Sequence, residues 1–399
     1  MSSQLSQEFL SSQFRACVPR LSGKYHKGQF GRIAVVGGSL EYSGAPHFAA
    51  TAGARAGADV AYIVCCKSAA TSIKSFNPES IVLPFLMTSE EAKESFGLKF
   101  GQELEHDQVA AAHREVCKNV DNWMKSFHSL VVGPGLGRDA LVQACARDVI
   151  QKARQANIPV VIDGDGIVAI ESSLETIKNY RRVILTPNAV EYIRLCKAVL
   201  GIEVDKNGLP KACENDEDRR KKDSSRHSEG GGSGGARCDG GDSKSEEEII
   251  SDTVKRLAKA LGHVTILKKG SVDTISDGFL VVQCTESGGL RRWGGQGDIL
   301  SGIAATFMGW NCGAISTYGL VEKVKEQEGH PKLASKSVLA AWGAATLTRS
   351  CARRAFSEYH RGGSLGMVLE QVGSSFYDLF EHQTSNISEF ETPYSDEYV

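Results

Sequence analysis

Along most of the chain, short unbroken runs of apolar and β-branched residues alternate with longer stretches in which apolar positions recur at helical spacing. The runs are RIAVVGG from residue 32, AYIVCC from 61, LVVGPG from 130, PVVIDGD from 159, RVILTPN from 182 and TILKKG from 265. Helical stretches follow at 46–58, 67–75, 139–155 and 189–200, and two more come late, the first over 299–310. Short continuous apolar runs suit strands covered on both faces. Their alternation with helices predicts an α/β fold: βαβ units around a mostly parallel central sheet, with helices on both faces.

The pattern stops abruptly at 203–248, EVDKNGLPKACENDEDRRKKDSSRHSEGGGSGGARCDGGDSKSEEE, and resumes afterwards. Charged blocks around a glycine-serine centre bury too little apolar surface to offset their ordering entropy. The stretch is therefore read as a disordered insertion in a loop of one domain spanning 24–375. Residues 1–28 are serine-rich with Glu8 their only acidic residue, a composition shared by transit peptides and plain disordered tails. The reading is a flexible tail over 1–23, and a polar C-terminal tail over 376–399.

Five of the predicted strands end in glycine or polar residues: Gly37-Gly38-Ser39, Gly133-Pro134-Gly135, Asp163-Gly164-Asp165, Thr186-Pro187-Asn188 and Lys269-Gly270. Any one of these is explained by a tight βα turn. In open α/β sheets, however, ligands bind outside the carboxyl ends of the strands, so five such tips predict one convergent site.

Composition narrows the classes. The 46 basic and 48 acidic residues nearly balance, which gives no electrostatic case for nucleic acid. The 11 cysteines are scattered, without a CxxC pair, so neither a zinc motif nor a disulfide framework is suggested. His26 and His47 lack ligand spacing, and no metal is assigned to protein side chains. No apolar run approaches the roughly 18 residues of a membrane span, and the start lacks an apolar signal core. These features place the protein in the cytosol, with a mitochondrial or plastid form left open by the transit-like composition.

The stretch RRWGGQGDILSGIAATFMGW, residues 291–310, carries the candidate chemistry. Gly294, Gly295 and Gly297 precede a helix whose first N–H groups and dipole favour a phosphate or a developing negative charge. Asp298 beside that charge binds phosphate poorly but accepts a proton well from an attacking hydroxyl, which points to phosphoryl transfer to an alcohol. The competing reading makes Asp298 an N-cap. A Walker loop is excluded, because the only Gly-Lys pair, Gly23-Lys24, has Val18 and Tyr25 at the flanking positions. VVGGSLEYSGAP departs from the dinucleotide fingerprint in spacing, which argues against a hydride-transferring dehydrogenase.

KGQFGRIAVVGGSLEYSGAPHFAATAGARAGA, VVGPGLGRD, VVIDGDG, LTPNAVEYIRL, LKKGSVDTISDG and RRWGGQGDILSGIAA occur in this order. The set resembles the ATP-dependent NAD(P)H-hydrate dehydratases, nicotinamide-nucleotide repair enzymes with a ribokinase-like fold, over about residues 24–355. GGSxxYxGAP together with TPNxxEYxRL is the specific part, since GxGD occurs across ribokinase-like enzymes. The resemblance implies ATP-driven dehydration of (6S)-NADHX and (6S)-NADPHX to NADH and NADPH, with ADP and phosphate released. Phosphorylation turns a poor leaving group, the ring hydroxyl, into a good one.

The resemblance also implies residue roles. Gly135, Gly137 and the segment Asn188, Ala189, Val190, Glu191, Tyr192, Ile193 and Arg194 would contact the hydrated nucleotide. Lys269, Gly270, Ser271, Val272 and Asp273 would contact ATP. So would Gly288, Gly289, Leu290, Arg291, Arg292, Trp293, Gly294, Gly295, Gln296 and Gly297. Asp298 would meet the substrate as the catalytic base, and Mg²⁺ would bridge phosphate oxygens. The bland alternatives stay beside these: Asn188 as a helix cap, Glu191 as a first-turn carboxylate, Trp293 packed on its loop rather than stacked on adenine.

Two positions depart from the family, Gly164 where alanine is usual and Trp293 where a small residue or cysteine is usual. Some relatives carry an epimerase domain in front; fewer than 30 residues precede the first motif here, so a separate epimerase is the expected functional partner. Nothing in the sequence fixes the oligomeric state, and a homo-oligomer is compatible with it. Two other classes compete: a ribokinase-like kinase that leaves a stable phosphorylated vitamin or sugar alcohol, and a nucleotide-binding protein without catalysis. Asp298 argues against the second of these.

Overall fold

The computed structural model describes residues 5–21, 25–99, 101–211, 245–312 and 334–382. The first half runs α1 (Gln7–Arg15), β1 (Arg32–Val36), α2 (Gly44–Arg55), β2 (Val60–Cys66), α3 (Lys67–Phe76), β3 (Ile81–Leu86), α4 (Ser89–Ser95), α5 (His106–Met124), β4 (Ser129–Val132) and α6 (Ala140–Gln155). The second runs β5 (Val160–Ile162), α7 (Asp165–Glu171), β6 (Val183–Leu185), α8 (Ala189–Leu195), α9 (Glu246–Ala260), β7 (Thr265–Lys268), β8 (Asp273–Ser276), β9 (Val281–Cys284), α10 (Gln296–Cys312), α11 (Lys336–Tyr359), α12 (Leu365–Glu370) and α13 (Val372–Phe376).

The strands form one sheet in the order β3-β2-β1-β4-β5-β6-β7-β8-β9. Pairing is parallel from β3 through β7 and antiparallel for the two hairpin strands β8 and β9. The mostly parallel sheet expected from the alternation is therefore present. Successive strand residues point to opposite faces. Ile33, Val35, Ile63, Val131 and Ile184 meet α2, α10 and α11, while Ala34, Val36, Val64, Val132 and Leu185 meet α5, α6 and α9. Pro84 interrupts the β3 run, and β3 sits at the sheet edge, where proline costs no ladder hydrogen bond. Among the described residues no helix is long and apolar enough to cross a membrane.

Three boundaries differ from the sequence expectation. The stretch assigned to a flexible tail contains α1, capped by Ser6 and packed into the core through Leu10 and Phe14. Phe14 lies 4.7 Å from the Phe307 ring and 4.5 Å from that of Phe380. Serine composition masked its apolar spacing. Phe380 is itself 2% exposed, so the polar C-terminal tail assigned from 376 begins too early: residues 376–382 continue the helical turn of α13 and close over the core.

Ordered chain also enters both ends of the expected insertion. Residues 203–211 form a turn closed by the Val204–Pro210 bridge, in which Asp205 Oδ1 accepts from the N–H groups of Asn207, Gly208 and Leu209. Those hydrogen bonds, that from Leu209 first, hold its carboxyl below the ordinary value. Residues 245–248 open α9 through a Ser245–Glu248 capping box, and the glycine-serine centre at 212–244 lies outside the described residues.

Candidate active site

The tips of β1, β4, β5, β6 and β7 meet, as their glycine and polar residues predict. The Gly38 N–H donates to Gly135 O at 3.0 Å, Gly137 N–H to Asp165 Oδ2 at 3.0 Å, and Lys269 N–H to Pro187 O at 3.1 Å. Thr186 Oγ1 donates to Asp163 Oδ1 at 2.6 Å. Gly133 has φ 129°, and a Cβ there would fall 1.7 Å from the Asp163 carbonyl oxygen, so only glycine lets these two tips close up.

At the centre Lys269 Nζ donates to Asp163 Oδ1 at 2.8 Å. Burial works against the ammonium, but the charge and hydrogen bond of Asp163, with Glu191 and Asp298 beyond, hold its pKa above the usual lysine value. The start of α10 rests on this pair: a Cβ on Gly297 would stand 3.3 Å from both Asp163 Oδ2 and Lys269 Nζ. Gly295, at φ 92°, turns the chain into the helix. Asp298 lies inside the first turn, its N–H donating to Gly295 O at 3.0 Å, so it is not the N-cap. Burial pushes its carboxyl up to about 8, with Asp163 and Asp165 adding to the effect and Lys269 opposing it. A carboxyl in that range is matched to taking a proton near neutral pH.

Asn188 and Glu191 form a capping box at the start of α8. Asn188 Oδ1 accepts from the Val190 and Glu191 N–H groups, and Glu191 Oε2 accepts from Asn188 N–H at 2.8 Å. Their bland structural roles are thus realised, and Asn188 also faces a cavity of about 850 Å³.

That cavity lies between α8, the β7–β8 loop and the start of α10. It brings together Asn188, Ala189, Lys269 to Asp273, Gly288, Gly289, Arg292, Gln296 and Gly297 from the sequence-named set. Other named residues stand elsewhere. Val190 and Leu290 are exposed; Tyr192 is buried beneath the Lys268 ammonium, 5.5 Å from its ring centroid; Ile193 packs on the core; Arg194 pairs with Glu171 at 3.0 Å. Neither Tyr192 nor the partly buried Ile193 lines the cavity. Arg291 bonds the Arg361 carbonyl, and Trp293 Nε1 donates to Gly363 O at 2.8 Å with the indole buried, so Trp293 packs on its loop. Gly294, Gly295 and Asp298 do not line the cavity, whose wall at this helix start is formed by Gln296, Gly297 and Leu300. Gly135 and Gly137 do not line the cavity: Gly135 packs against Tyr42, and Gly137 lies beside Ser39 and Asp165.

Sequence reasoning missed several groups. Lys206 and Asn207, in the supposed insertion, form part of the wall, as do Lys268, Thr274 and Gln283. Burial holds the Lys268 ammonium below its ordinary value, against Asp273 and Asp205. Arg349 on α11 grips Asp273 through two 2.7 Å bonds and also donates to the Gly270 and Ser271 carbonyls at 2.8 and 3.0 Å. The Ser39 hydroxyl, buried at the β1 tip, has no hydrogen-bond partner among the described residues. The only available signal for Arg349 was that it is the first charged residue after the apolar run Val338–Leu347 of α11, ahead of Arg353 and Arg354.

A parallel sheet with a glycine-led helix start over its strand tips, flanked by a proton acceptor and a nucleotide-sized cavity, defines the ribokinase-like class. A ribokinase-like superfamily protein from Enterococcus faecalis has the same fold, with a TM-score of 0.58 at 17% identity over 94% of this chain and 95% of that one. So has the ADP/ATP-dependent NAD(P)H-hydrate dehydratase of Bacillus subtilis co-crystallised with ATP/Mg²⁺, with a TM-score of 0.51 at 18% identity over 92% and 97% of the two chains. A family model described as NAD(P)H-hydrate dehydratase matches residues 33–217 and 240–370. The ATP-dependent (S)-NAD(P)H-hydrate dehydratase of Bos taurus is 36% identical over 92% of this chain and 88% of that protein; its namesake from Vitis vinifera is 38% identical over 92% and 86%. The chain belongs to the NAD(P)H-hydrate dehydratase family.

Proposed function

We propose that the protein uses ATP to dehydrate (6S)-NADHX and (6S)-NADPHX, giving NADH or NADPH with ADP and phosphate. The observation that carries this reading is Asp298 in the first turn of α10, its carboxyl raised to about 8, beside a helix start seated on the Lys269–Asp163 pair. Asp298 takes the proton of the ring hydroxyl as its oxygen attacks the γ-phosphorus of ATP, and the bond to the β-phosphate oxygen breaks to release ADP. The new phosphate ester then leaves as inorganic phosphate, which takes up the proton lost by the neighbouring ring carbon as the C–H electron pair forms the ring double bond. The α10 N–H groups and Lys269 stabilise charge on the transferring group. Substrate lies on the side of Gly135, Gly137 and Asn188, and ATP in the cavity on the side of Gly270 to Asp273 and Arg292.

The donor set suits Mg²⁺, which binds one or two carboxylates together with phosphate oxygens and water. Asp163 and Asp165, whose charges both bear on Asp298, would hold it, and it would neutralise charge on the phosphates. The relatives' names specify the S epimer, which supports an epimerase on a separate chain as the source of usable substrate.

The test is to incubate the protein with hydrated NADH, ATP and Mg²⁺ and follow reduced-nicotinamide absorbance together with phosphate release. Recovery of absorbance in step with phosphate supports the dehydratase. A stable phosphorylated product without that absorbance would identify a small-molecule kinase instead.

A further inference from the structure

On the outer helical layer, away from the chemistry described above, three metal-ligating groups of different types converge. His113 and Cys117 lie one turn apart on the same face of α5, and Asp148 projects from α6 alongside. His113 Nε2 stands 3.2 Å from Asp148 Oδ2, Cys117 Sγ 3.6 Å from Asp148 Oδ2, and Cys117 Sγ 4.0 Å from His113 Nε2. We propose that His113, Cys117 and Asp148 bind a zinc-class divalent transition-metal ion that staples α5 to α6, with water as the fourth ligand.

The spacing decides for this over a plain interhelical ion pair. Zinc bonds of about 2.0–2.2 Å to nitrogen or oxygen and about 2.3 Å to sulfur set tetrahedral edges of roughly 3.4 Å for N–O and roughly 3.5 Å for S–N or S–O. The three observed separations already outline one face of that tetrahedron, with only the S–N edge open by about half an ångström. An ion pair alone gives no reason for a thiol to stand at hydrogen-bonding distance from the same carboxylate oxygen. His113 and Asp148 are partly exposed, which gives an ion an entry path and leaves room for water, while Cys117 closes the inner side.

A second sulfur, Cys145 on α6, neighbours Cys117. The nearby Lys152 ammonium is matched by Asp121, so it opposes a dication little. A soft thiolate with imidazole and one carboxylate selects zinc-like ions over Mg²⁺, which separates this site from the nucleotide's metal.

The test uses the whole protein, reduced and stripped with chelator, titrated with Co²⁺ as the probe. Expected are one equivalent of binding, a thiolate-to-cobalt charge-transfer band with tetrahedral d–d bands, and displacement by Zn²⁺, which raises the melting temperature of the wild type. Cys117→Ser should abolish the charge-transfer band. His113→Ala and Asp148→Asn should each weaken binding at least about tenfold, the loss found even for groups that only orient a ligand. Cys145→Ser should keep the band. A folded wild type without the band overturns the proposal. So does a band that survives Cys117→Ser, or one that is lost in Cys145→Ser and indifferent to His113 and Asp148, which would assign the ion to the thiol pair.

Discussion

Lys269 Nζ and Asp163 Oδ1 are joined at 2.8 Å across the strand tips, although 106 residues separate them in sequence. The two charges act oppositely on Asp298: Asp163 raises its pKa and Lys269 lowers it. If Asp298 is the base, kcat/KM should climb with pH through a limb near 8 and then level, because only the carboxylate accepts a proton. Asp163→Asn should move that limb toward acid, and Lys269→Met should move it toward alkali. Full pH profiles of kcat/KM for the three proteins check this; shifts of the same sign in both variants would remove Asp298 from the role.

Asp298→Asn should cut kcat by about a hundred to ten thousand fold, the span for a lost general base, while ATP still protects against thermal unfolding. The same substitution should stabilise the free protein above neutral pH. Between about pH 4, where an unfolded aspartate ionises, and about 8, the folded state keeps a proton that the unfolded chain has lost. Stability therefore falls as pH rises through that window, and asparagine escapes the loss. Melting temperatures at pH 8 and pH 4 should differ between the two proteins in the first case and converge in the second.

Asn188 carries a cap and a cavity wall at once. Asn188→Ala should lower stability by about 1 kcal/mol through the lost cap and weaken the hydrated nucleotide more than ATP. Asn188→Asp keeps an N-cap oxygen, so it should restore the melting temperature without restoring substrate affinity. Recovery of both would reduce Asn188 to a structural cap.

Phe14 sits among Phe307, Phe380 and Gly343. Phe14→Ala should cost about 3–5 kcal/mol of unfolding free energy, as for a large buried ring, measured by chemical denaturation. A loss under about 1 kcal/mol would make α1 a dispensable arm.

Six of the seven parallel strands were legible because each is an unbroken apolar run, whereas β3 was hidden by Pro84; the site was legible where function requires glycine or a carboxylate at a strand tip or helix start. Gly133 and Asp163 stand at strand tips, and Asp298 at a helix start marked by glycines. What stayed hidden depends on long-range packing. α1 was lost because its polar residues outnumber the Leu10 and Phe14 that anchor it. β8 and β9 were lost because DTIS and VVQC are short and mixed, and the turn at 203–211 because a single Asp205, rather than apolar content, organises it. His113, Cys117 and Asp148 share no motif, since α5 and α6 must pack before they meet.

Arg349 tests how far the cavity depends on such distant support. It holds Asp273 by a two-pronged pair and the Gly270 and Ser271 carbonyls by the remaining donors, so one planar fork fixes the whole loop that follows β7. Lysine can supply the charge but not the fork. Arg349→Lys should therefore keep Asp273 partnered and the protein folded, yet raise the KM for ATP about tenfold or more, since hydrogen bonds to charged groups contribute about 1.5–3 kcal/mol each. The KM for the hydrated nucleotide should change little, because Asn188 and Gly137 lie on other strand tips. Arg349→Ala leaves Asp273 buried without its partner and should be destabilised by about 3–5 kcal/mol, which separates loss of fold from loss of loop geometry. If Arg349→Lys matched the wild type in KM for ATP at equal stability, charge alone would account for Arg349 and the loop would need no fork to hold its shape.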